Sequence, residues 1–381
     1  MRNISASIKK VITFTLIITC TLIVSEVIYR AWTGSPLIPD RNFVSYELEE
    51  NFYSMNFYEF DQTLGWKFQM SSINKKPVVS LQKDGLPSFT IGEFSLRMNN
   101  SSEFRKPMKR AILAAGDSFT AGAQVKDDES WPAILEIILS TPVLNSGVSG
   151  YGVDQIVLRV EALAKTLSPK VVIYSFLDED ILRTSYDIFS AFKPYYILTE
   201  DGGLALHEVP VKETVSRTNR LGLLRTIFGY SKIIHEGMKS ISPYTCMGRE
   251  LSFRQVSTNK EAIEISCRLL DKIIADSKRF NFRPLIVMQY GGDRILHNKR
   301  SWYALDLLKC IRERQLPLLD TFEKLNNFSQ KDIEGFTKLY IQPKQSGAER
   351  FGHMSKAGNT FIANQIAHFF DFKNNDVVPN Q

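Results

Sequence analysis

The chain has 381 residues, 44% hydrophobic and 23% charged, and its 47 Lys and Arg against 41 Asp and Glu give a net charge of +6. The basic residues are spread along the chain without a basic stripe, so no nucleic-acid partner is expected. The four cysteines form no CxxC pair and are too scattered for a dense disulfide framework. The composition is that of a globular protein with a sizeable core.

The N-terminal segment combines a basic flank with an apolar run. Arg2, Lys9 and Lys10 precede a predominantly apolar stretch over residues 11–29. Its length lies between a signal-peptide core and a minimal transmembrane helix, and both readings mean export. We favour an uncleaved transmembrane anchor over a cleaved signal peptide because no A-x-A-like site follows. Residues 1–32 then form a cytoplasmic flank and a membrane anchor, and the rest faces the periplasm or the cell exterior.

The next segment, residues 33–105, is rich in aromatic, Asn and Ser residues and has few periodic runs. We expect an irregular or β-rich N-terminal portion that packs against the rest or frames the substrate. From about residue 109 the pattern changes to short apolar runs that alternate with amphipathic helical patterns. Residues 106–381 are therefore assigned to one α/β domain.

Five short apolar runs mark the strands of this domain. They contain Ile112, Val143, Val171, Leu285 and Leu318. Helical patterns follow at residues 130–139, 153–167, 260–280, 302–315 and 356–370. The alternation predicts a five-stranded parallel sheet between two helix layers, a three-layer αβα sandwich.

A segment at about 181–250 interrupts the alternation. Within it, residues 193–211 contain two short extended runs around the Gly202 and Gly203 turn. We interpret the segment as an insertion over the sheet edge, where such insertions often shape the mouth of a site.

Two residues suggest chemistry at the carboxyl edge of the sheet. Ser118 follows the first strand where a helix should start, and His353 lies in the loop after the last strand, before the terminal helix. In open parallel sheets, ligands bind at the carboxyl ends of the strands, so the two side chains are expected to meet. A Gly-Asp-Ser triplet also occurs as a simple helix cap, and that alternative stays open on the triplet alone.

The sequence also resembles the GDSL, or SGNH, family of serine esterases and acylhydrolases. Three blocks, "GDSFTAG", "NSGVSGYGVDQ" and "GHMSKAGN", occur in the family's order, and weaker matches extend from about residue 55 to the end. The resemblance implies the flavodoxin-like SGNH fold, with Ser118 as nucleophile and His353 as general base. It also implies that the backbone amides of Ser118 and Gly150 stabilise the oxyanion, and that no cofactor is needed.

The chain departs from the family pattern at two catalytic positions. Glu179 stands where the third block has an Asn that donates to the oxyanion, and Asp180 is kept. An ionised Glu cannot donate a hydrogen bond, so Glu179 is protonated, turned away or used otherwise. The family's Asp shortly before the His is also missing, which leaves either Glu349 or a main-chain carbonyl to orient His353.

The remaining acidic residues are assigned supporting roles. Asp117 is expected to brace its loop by capping, and Asp180 is expected to be structural. The acidic trio at residues 178–180 lies at one strand end without a nearby His. No metal site is expected there, because adjacent residues at a strand end do not converge on one ion.

Three functions remain compatible with these observations. The first is an exported serine esterase that cleaves an acyl ester, such as an O-acetyl group on a glycan. The second is an O-acyltransferase that uses the same covalent intermediate with a sugar hydroxyl as acceptor. The third is a degenerate, non-catalytic glycan-binding or assembly protein, which Glu179 and the missing Asp would explain.

Overall fold

The computed structural model describes residues 2–33, 58–69, 78–79, 90–100, 110–189, 191–209, 231, 233–234, 253–342 and 351–373. The strands are β1 (Tyr58–Asp61), β2 (Gly65–Phe68), β3 (Val78–Val79), β4 (Thr90–Ile91), β5 (Ile112–Gly116), β6 (Val143–Asn145), β7 (Val171–Leu177), β8 (Tyr186–Phe189), β9 (Ala191–Phe192), β10 (Tyr195–Leu198), β11 (Leu204–His207), β12 (Phe253–Gln255), β13 (Arg283–Gln289) and β14 (Leu318–Asp320).

Helices account for most of the remaining described residues. They are α1 (Arg2–Thr33), α2 (Ser118–Ala121), α3 (Trp131–Leu139), α4 (Val153–Leu167), α5 (Asp180–Arg183), α6 (Asn259–Phe280), α7 (Gly292–Leu296), α8 (Trp302–Glu313), α9 (Phe322–Lys331), α10 (Ile333–Lys338) and α11 (Lys356–Lys373). The chain divides into two compact units, residues 1–51 with 210–255 and residues 52–209 with 256–381.

The first unit contains the N-terminal helix. Residues Ile12–Thr33 of α1 have a mean hydropathy of 2.0 and no buried residue in the most apolar window. This length and composition suit a membrane-spanning helix, although a signal sequence has the same properties. Arg30 at the end of α1 pairs with Glu26 one turn earlier.

The second unit is built on a five-stranded parallel sheet in the order β14-β13-β7-β5-β6. All five strand markers from the sequence lie in these five strands, which confirms the predicted sheet. The order is flavodoxin-like, and its switch point lies between β5 and β7, because the chain moves outward from β5 to β6 and then crosses back to β7.

Helices cover both faces of this sheet. Right-handed crossovers place α4, α6 and α8 on one face and α3 on the other, and α6 packs on α4 and α8 while α3 packs on α11. A disulfide between Cys267 on α6 and Cys310 on α8 joins two helices of one layer. The predicted three-layer αβα sandwich is therefore the observed fold.

Local sequence explains why these elements form where they do. All seven residues of β7 are buried, as expected for a β-branched and aromatic run between two helix layers. At the start of α6, Thr258 and Glu261 form a capping box in which each side chain accepts the other's backbone N–H. The helix ends at Asn281, which adopts the left-handed conformation.

The first part of the predicted insertion packs on helices α4 and α6. Strands β10 and β11 form an antiparallel hairpin, which confirms the two extended runs around the Gly-Gly turn. Before them, the fully buried Lys193 pairs with the fully buried Asp154 of α4 and donates to the carbonyl of Pro194 at 2.9 Å. This ion pair fixes the insertion to α4, and residues 210–230 and 235–250 lie outside the described part.

Candidate active site

The turn after β5 places Ser118 at the switch point of the sheet. Gly116 ends the strand, and a Cβ there would lie 2.1 Å from Thr120 Oγ1 and 2.6 Å from the Ser175 carbonyl, so only glycine fits. The Asp117 carboxylate caps α2 by accepting the Phe119 N–H at 2.9 Å. Ser118 is the first residue of α2 and is mostly buried. The capping expected of Asp117 is thus present.

His353 reaches Ser118 from the other end of the sequence. Its Nε2 lies 2.9 Å from Ser118 Oγ. The backbone around it is fixed, because Ile341 N–H donates to the His353 carbonyl at 2.8 Å and Gly352 N–H donates to the Ile341 carbonyl at 2.8 Å. The structure therefore brings together the two side chains that the sequence singled out.

The path of the chain to His353 differs from the expectation. His353 was expected in the loop after the last strand, before the terminal helix, but α9 and α10 stand between β14 and that loop. The loop still returns to the carboxyl edge of the sheet, because residue 340 forms an antiparallel bridge with residue 354.

The second ring nitrogen of His353 contacts a residue that the sequence analysis missed. His353 Nδ1 lies 2.9 Å from Gln124 Oε1. Gln124 belongs to no motif and carries no charge. Its position three residues after the end of α2 is the one feature of the sequence that places it near the site. Glu349, the carboxylate expected near His353, lies outside the described residues and stays a prediction.

A buried charge cluster supports the turn that carries Ser118. Arg183 Nη1 donates to Asp117 at 3.2 Å, to the Asp180 carboxylate and to the Tyr151 carbonyl at 3.1 Å. Asp180 also accepts the Leu177 N–H at 2.9 Å. Burial, together with the neighbouring Asp117 charge, raises the pKa of Asp180 well above its usual range. These contacts tie the turn to the end of β7 and to the loop after β6.

The two further residues proposed to stabilise the oxyanion are Gly150, in the loop after β6, and Glu179, after β7. Gly150 precedes Tyr151 and has a φ of +81°, a conformation that favours glycine. Glu179 follows β7, is exposed, and lines the same cavity as Ser118 and His353. The oxyanion roles of the Gly150 amide and of position 179 stay predictions.

The cavity beside Ser118 is open to solvent, and several charged side chains are among its lining residues. Its volume is about 440 Å³. It is lined by Ser118, Phe119, Leu177, Glu179, Arg183, Gly291, Gly292, Asp293, Arg294, His297, Lys299, Phe351, Gly352 and His353. The wall formed by α7 and the turn after it was not predicted, although this segment follows β13 at the same sheet edge. In the described ranges, no group of three or more His, Cys, Asp or Glu is arranged to hold a metal ion.

Asp178 lies beside this wall and contacts it through its carboxylate. Its carboxylate accepts the Ser301 hydroxyl at 2.9 Å and lies 3.6 Å from Arg294 Nε. Burial raises the pKa of Asp178 to about 6, and the nearby Glu179 charge acts in the same direction, while the Ser301 hydrogen bond opposes the shift. Ionised Asp178 is therefore costly in the folded protein.

Replacing Asp178 with Asn is expected to change the pH dependence of stability. With a folded pKa of about 6 against an ordinary value of 3.8, the folded state binds more protons between these values, so its stability falls as pH rises through this range. Asn removes this loss, which is roughly 2 to 3 kcal/mol at neutral pH. Urea unfolding measures the free energy of unfolding, which should be higher in the variant than in wild type at pH 7 but not at pH 4. An equal difference in the free energy of unfolding at both pH values would contradict the prediction. Asp306→Asn, at an exposed position, is the control.

No protein-family model and no curated protein sequence matches this chain. Solved structures do match, among them the acetyl xylan esterase AlAXEase, at 11% identity over 68% of this chain and 98% of that chain, with a TM-score of 0.39. TesA matches at 12% identity over 68% of this chain and 96% of that chain, with a TM-score of 0.36.

The esterase EstA from Pseudoalteromonas sp. matches at 9% identity over 70% of this chain and 100% of that chain, with a TM-score of 0.36. At such low identities and TM-scores, none of these similarities carries weight for the activity of this chain.

Proposed function

We propose that this protein is a serine ester hydrolase. The observation that carries the proposal is the 2.9 Å contact between Ser118 Oγ and His353 Nε2 at the switch point of the sheet. A serine is a weak nucleophile unless a base within hydrogen-bond reach takes its proton. A neutral imidazole at this distance can act as that base.

The reaction proceeds through an acyl-enzyme. Ser118 Oγ attacks the ester carbonyl while its proton passes to His353 Nε2, and the amides of Ser118 and Gly150 stabilise the negatively charged oxygen. The tetrahedral intermediate collapses with loss of the alcohol, which takes the proton from His353. A water molecule then repeats the sequence on the acyl-enzyme, and the acid and free Ser118 are released.

The cavity lining supports a polar substrate. Six of its fourteen residues have charged or potentially charged side chains besides the catalytic His353, namely Glu179, Arg183, Asp293, Arg294, His297 and Lys299. A lipid chain would displace water from these charged groups, which is costly. An acyl ester on a glycan, such as an O-acetyl group, offers hydroxyls that hydrogen-bond to such a wall.

Two features support an exported protein held at a membrane. The apolar segment Ile12–Thr33 has the length and hydropathy of a membrane-spanning helix. Cys267 and Cys310 form a disulfide, and disulfides persist mainly in oxidising compartments outside the cytosol. The proposed arrangement has an N-terminal anchor and a catalytic unit in the periplasm or outside the cell.

A second candidate is a non-catalytic glycan-binding module. The Glu179 carboxylate lines the cavity at the position of the expected oxyanion donor, where a negative charge opposes ester hydrolysis. Such a module would use the same polar cavity to bind its ligand without turning it over.

Labelling with a fluorophosphonate separates these two functions. We expect the full chain, purified in detergent, to be labelled stoichiometrically, with the adduct located on Ser118 by peptide mass spectrometry. Heat-unfolded protein is the control for non-specific reaction. Absence of labelling in folded protein would contradict the hydrolase proposal and favour the binding module.

A further inference from the structure

We propose that Gln124 is a positioning residue that orients His353 through the Nδ1 atom of the ring. The proposal starts from the contact between His353 Nδ1 and Gln124 Oε1, 2.9 Å apart. Its catalytic consequence rests on the hydrolase function proposed above, whereas the tautomer it assigns to His353 does not.

The chemistry of the amide oxygen determines the tautomer. Oε1 can only accept a hydrogen bond, so the neutral ring carries its proton on Nδ1. Nε2, which faces Ser118 Oγ at 2.9 Å, is then the unprotonated nitrogen and can accept the serine proton. A ring with the opposite tautomer would present a proton to Ser118 and could not act as the base.

Gln124 is itself held by a buried arginine. The loop that carries it, residues 121–125, is bound by Arg97, whose guanidinium donates to the carbonyls of Ala121 and Gly122 and, at 2.7 Å, to that of Val125. Arg97 is almost fully buried and lies 3.4 Å from the Asp127 carboxylate. Three donated bonds to one short loop fix its backbone, so the Gln124 side chain projects from a rigid support.

A neutral partner has a specific effect on pH dependence. A carboxylate beside Nδ1 favours the imidazolium form, whereas an amide oxygen does so only weakly. Gln124→Glu should therefore move the acidic limb of the kcat/KM profile to higher pH, by about one unit. Gln124→Leu has a similar size but accepts no hydrogen bond, so it should lower kcat/KM about a hundredfold through loss of the correct tautomer.

The test uses full-length protein in detergent, labelled with ¹⁵N-histidine and with the His353 signal assigned by His353→Ala. Nitrogen-15 chemical shifts should show the Nδ1–H tautomer in wild type at alkaline pH, and a loss of that preference in Gln124→Leu. Exposed Gln330→Leu is the matched control, and Glu349→Gln tests the competing carboxylate. The kcat/KM profiles are recorded on the same proteins.

Two results would overturn the proposal. The first is an unchanged tautomer and an unchanged kcat/KM in Gln124→Leu. The second is loss of the Nδ1–H tautomer in Glu349→Gln, with Gln124→Leu like wild type. If wild type had no esterase activity but the tautomer still depended on Gln124, the hydrolase function would fail while the positioning role would stand.

Discussion

Ser118→Ala is expected to lower kcat/KM for a short-chain acyl ester at least about ten-thousandfold, since it removes the atom that forms the covalent bond. His353→Ala should cause a loss of similar size, because it removes the imidazole that takes the proton from Ser118 Oγ. The two residues act as one unit, so the double variant should be no slower than the slower single variant. Hydrolysis of p-nitrophenyl acetate by full-length protein measures all three.

Matched variants separate chemistry from folding in this experiment. Ser277→Ala removes a serine hydroxyl that donates to the Ile274 carbonyl within α6, far from the site, and should leave kcat/KM within about twofold. His297→Ala removes the other cavity histidine, whose Nδ1 lies 2.7 Å from the Asp293 carbonyl, and should cost less than about tenfold. Turnover in purified Ser118→Ala, with melting temperature unchanged, would disprove the nucleophile assignment.

The sheet could be predicted because its strands are buried on both faces. Val171–Leu177 and Ile112–Gly116 are buried throughout, so each appears in the sequence as a short continuous apolar run. Helices α4 and α6 were equally clear, since their buried residues recur at helical spacing. The alternation of strands and helices along the sequence then predicted the architecture, because parallel strands require crossover connections, usually helices.

Helices α9 and α10 were not predicted, for reasons visible in their residues. Helix α9 has ten residues, and two of its four buried residues, Asn326 and Ser329, are polar, so few apolar positions mark it in the sequence. Helix α10 has only six residues and contains Gly335, and it starts where Asp332 accepts the Gly335 N–H at 2.8 Å. Short helices of this kind depend on caps and tertiary packing more than on pattern.

The site likewise contains residues that the sequence predicts and residues that it does not. Ser118 and His353 could be found because each sits in a recognisable turn at a strand-end or helix-start position. Gln124 and Arg183 act through contacts that only the folded chain creates: Gln124 approaches a histidine 229 residues away, and Arg183 reaches Asp117, 66 residues away. Sequence spacing carries no information about such contacts.

Position 179 gives the largest expected gain of activity. Glu179 is exposed and lines the cavity with Ser118. It stands where the GDSL pattern that the sequence resembles has an amide donor to the oxyanion. As a carboxylate it offers no hydrogen to that oxygen, and its charge opposes the negative charge of the transition state. A missing oxyanion donor costs on the order of 3 kcal/mol, about a hundredfold in rate.

Glu179→Asn is therefore expected to raise kcat/KM for a simple ester by up to about a hundredfold. Glu179→Ala removes the charge without adding a donor, so its gain should be smaller, and the difference between the two variants measures the donor alone. Asp293→Asn, a carboxylate-to-amide change elsewhere in the cavity, is the matched control. The variants are compared at equal folding by circular dichroism. A rate that falls in Glu179→Asn while the fold is intact would show that the carboxylate serves catalysis or substrate binding, and position 179 would no longer count as a lost oxyanion donor.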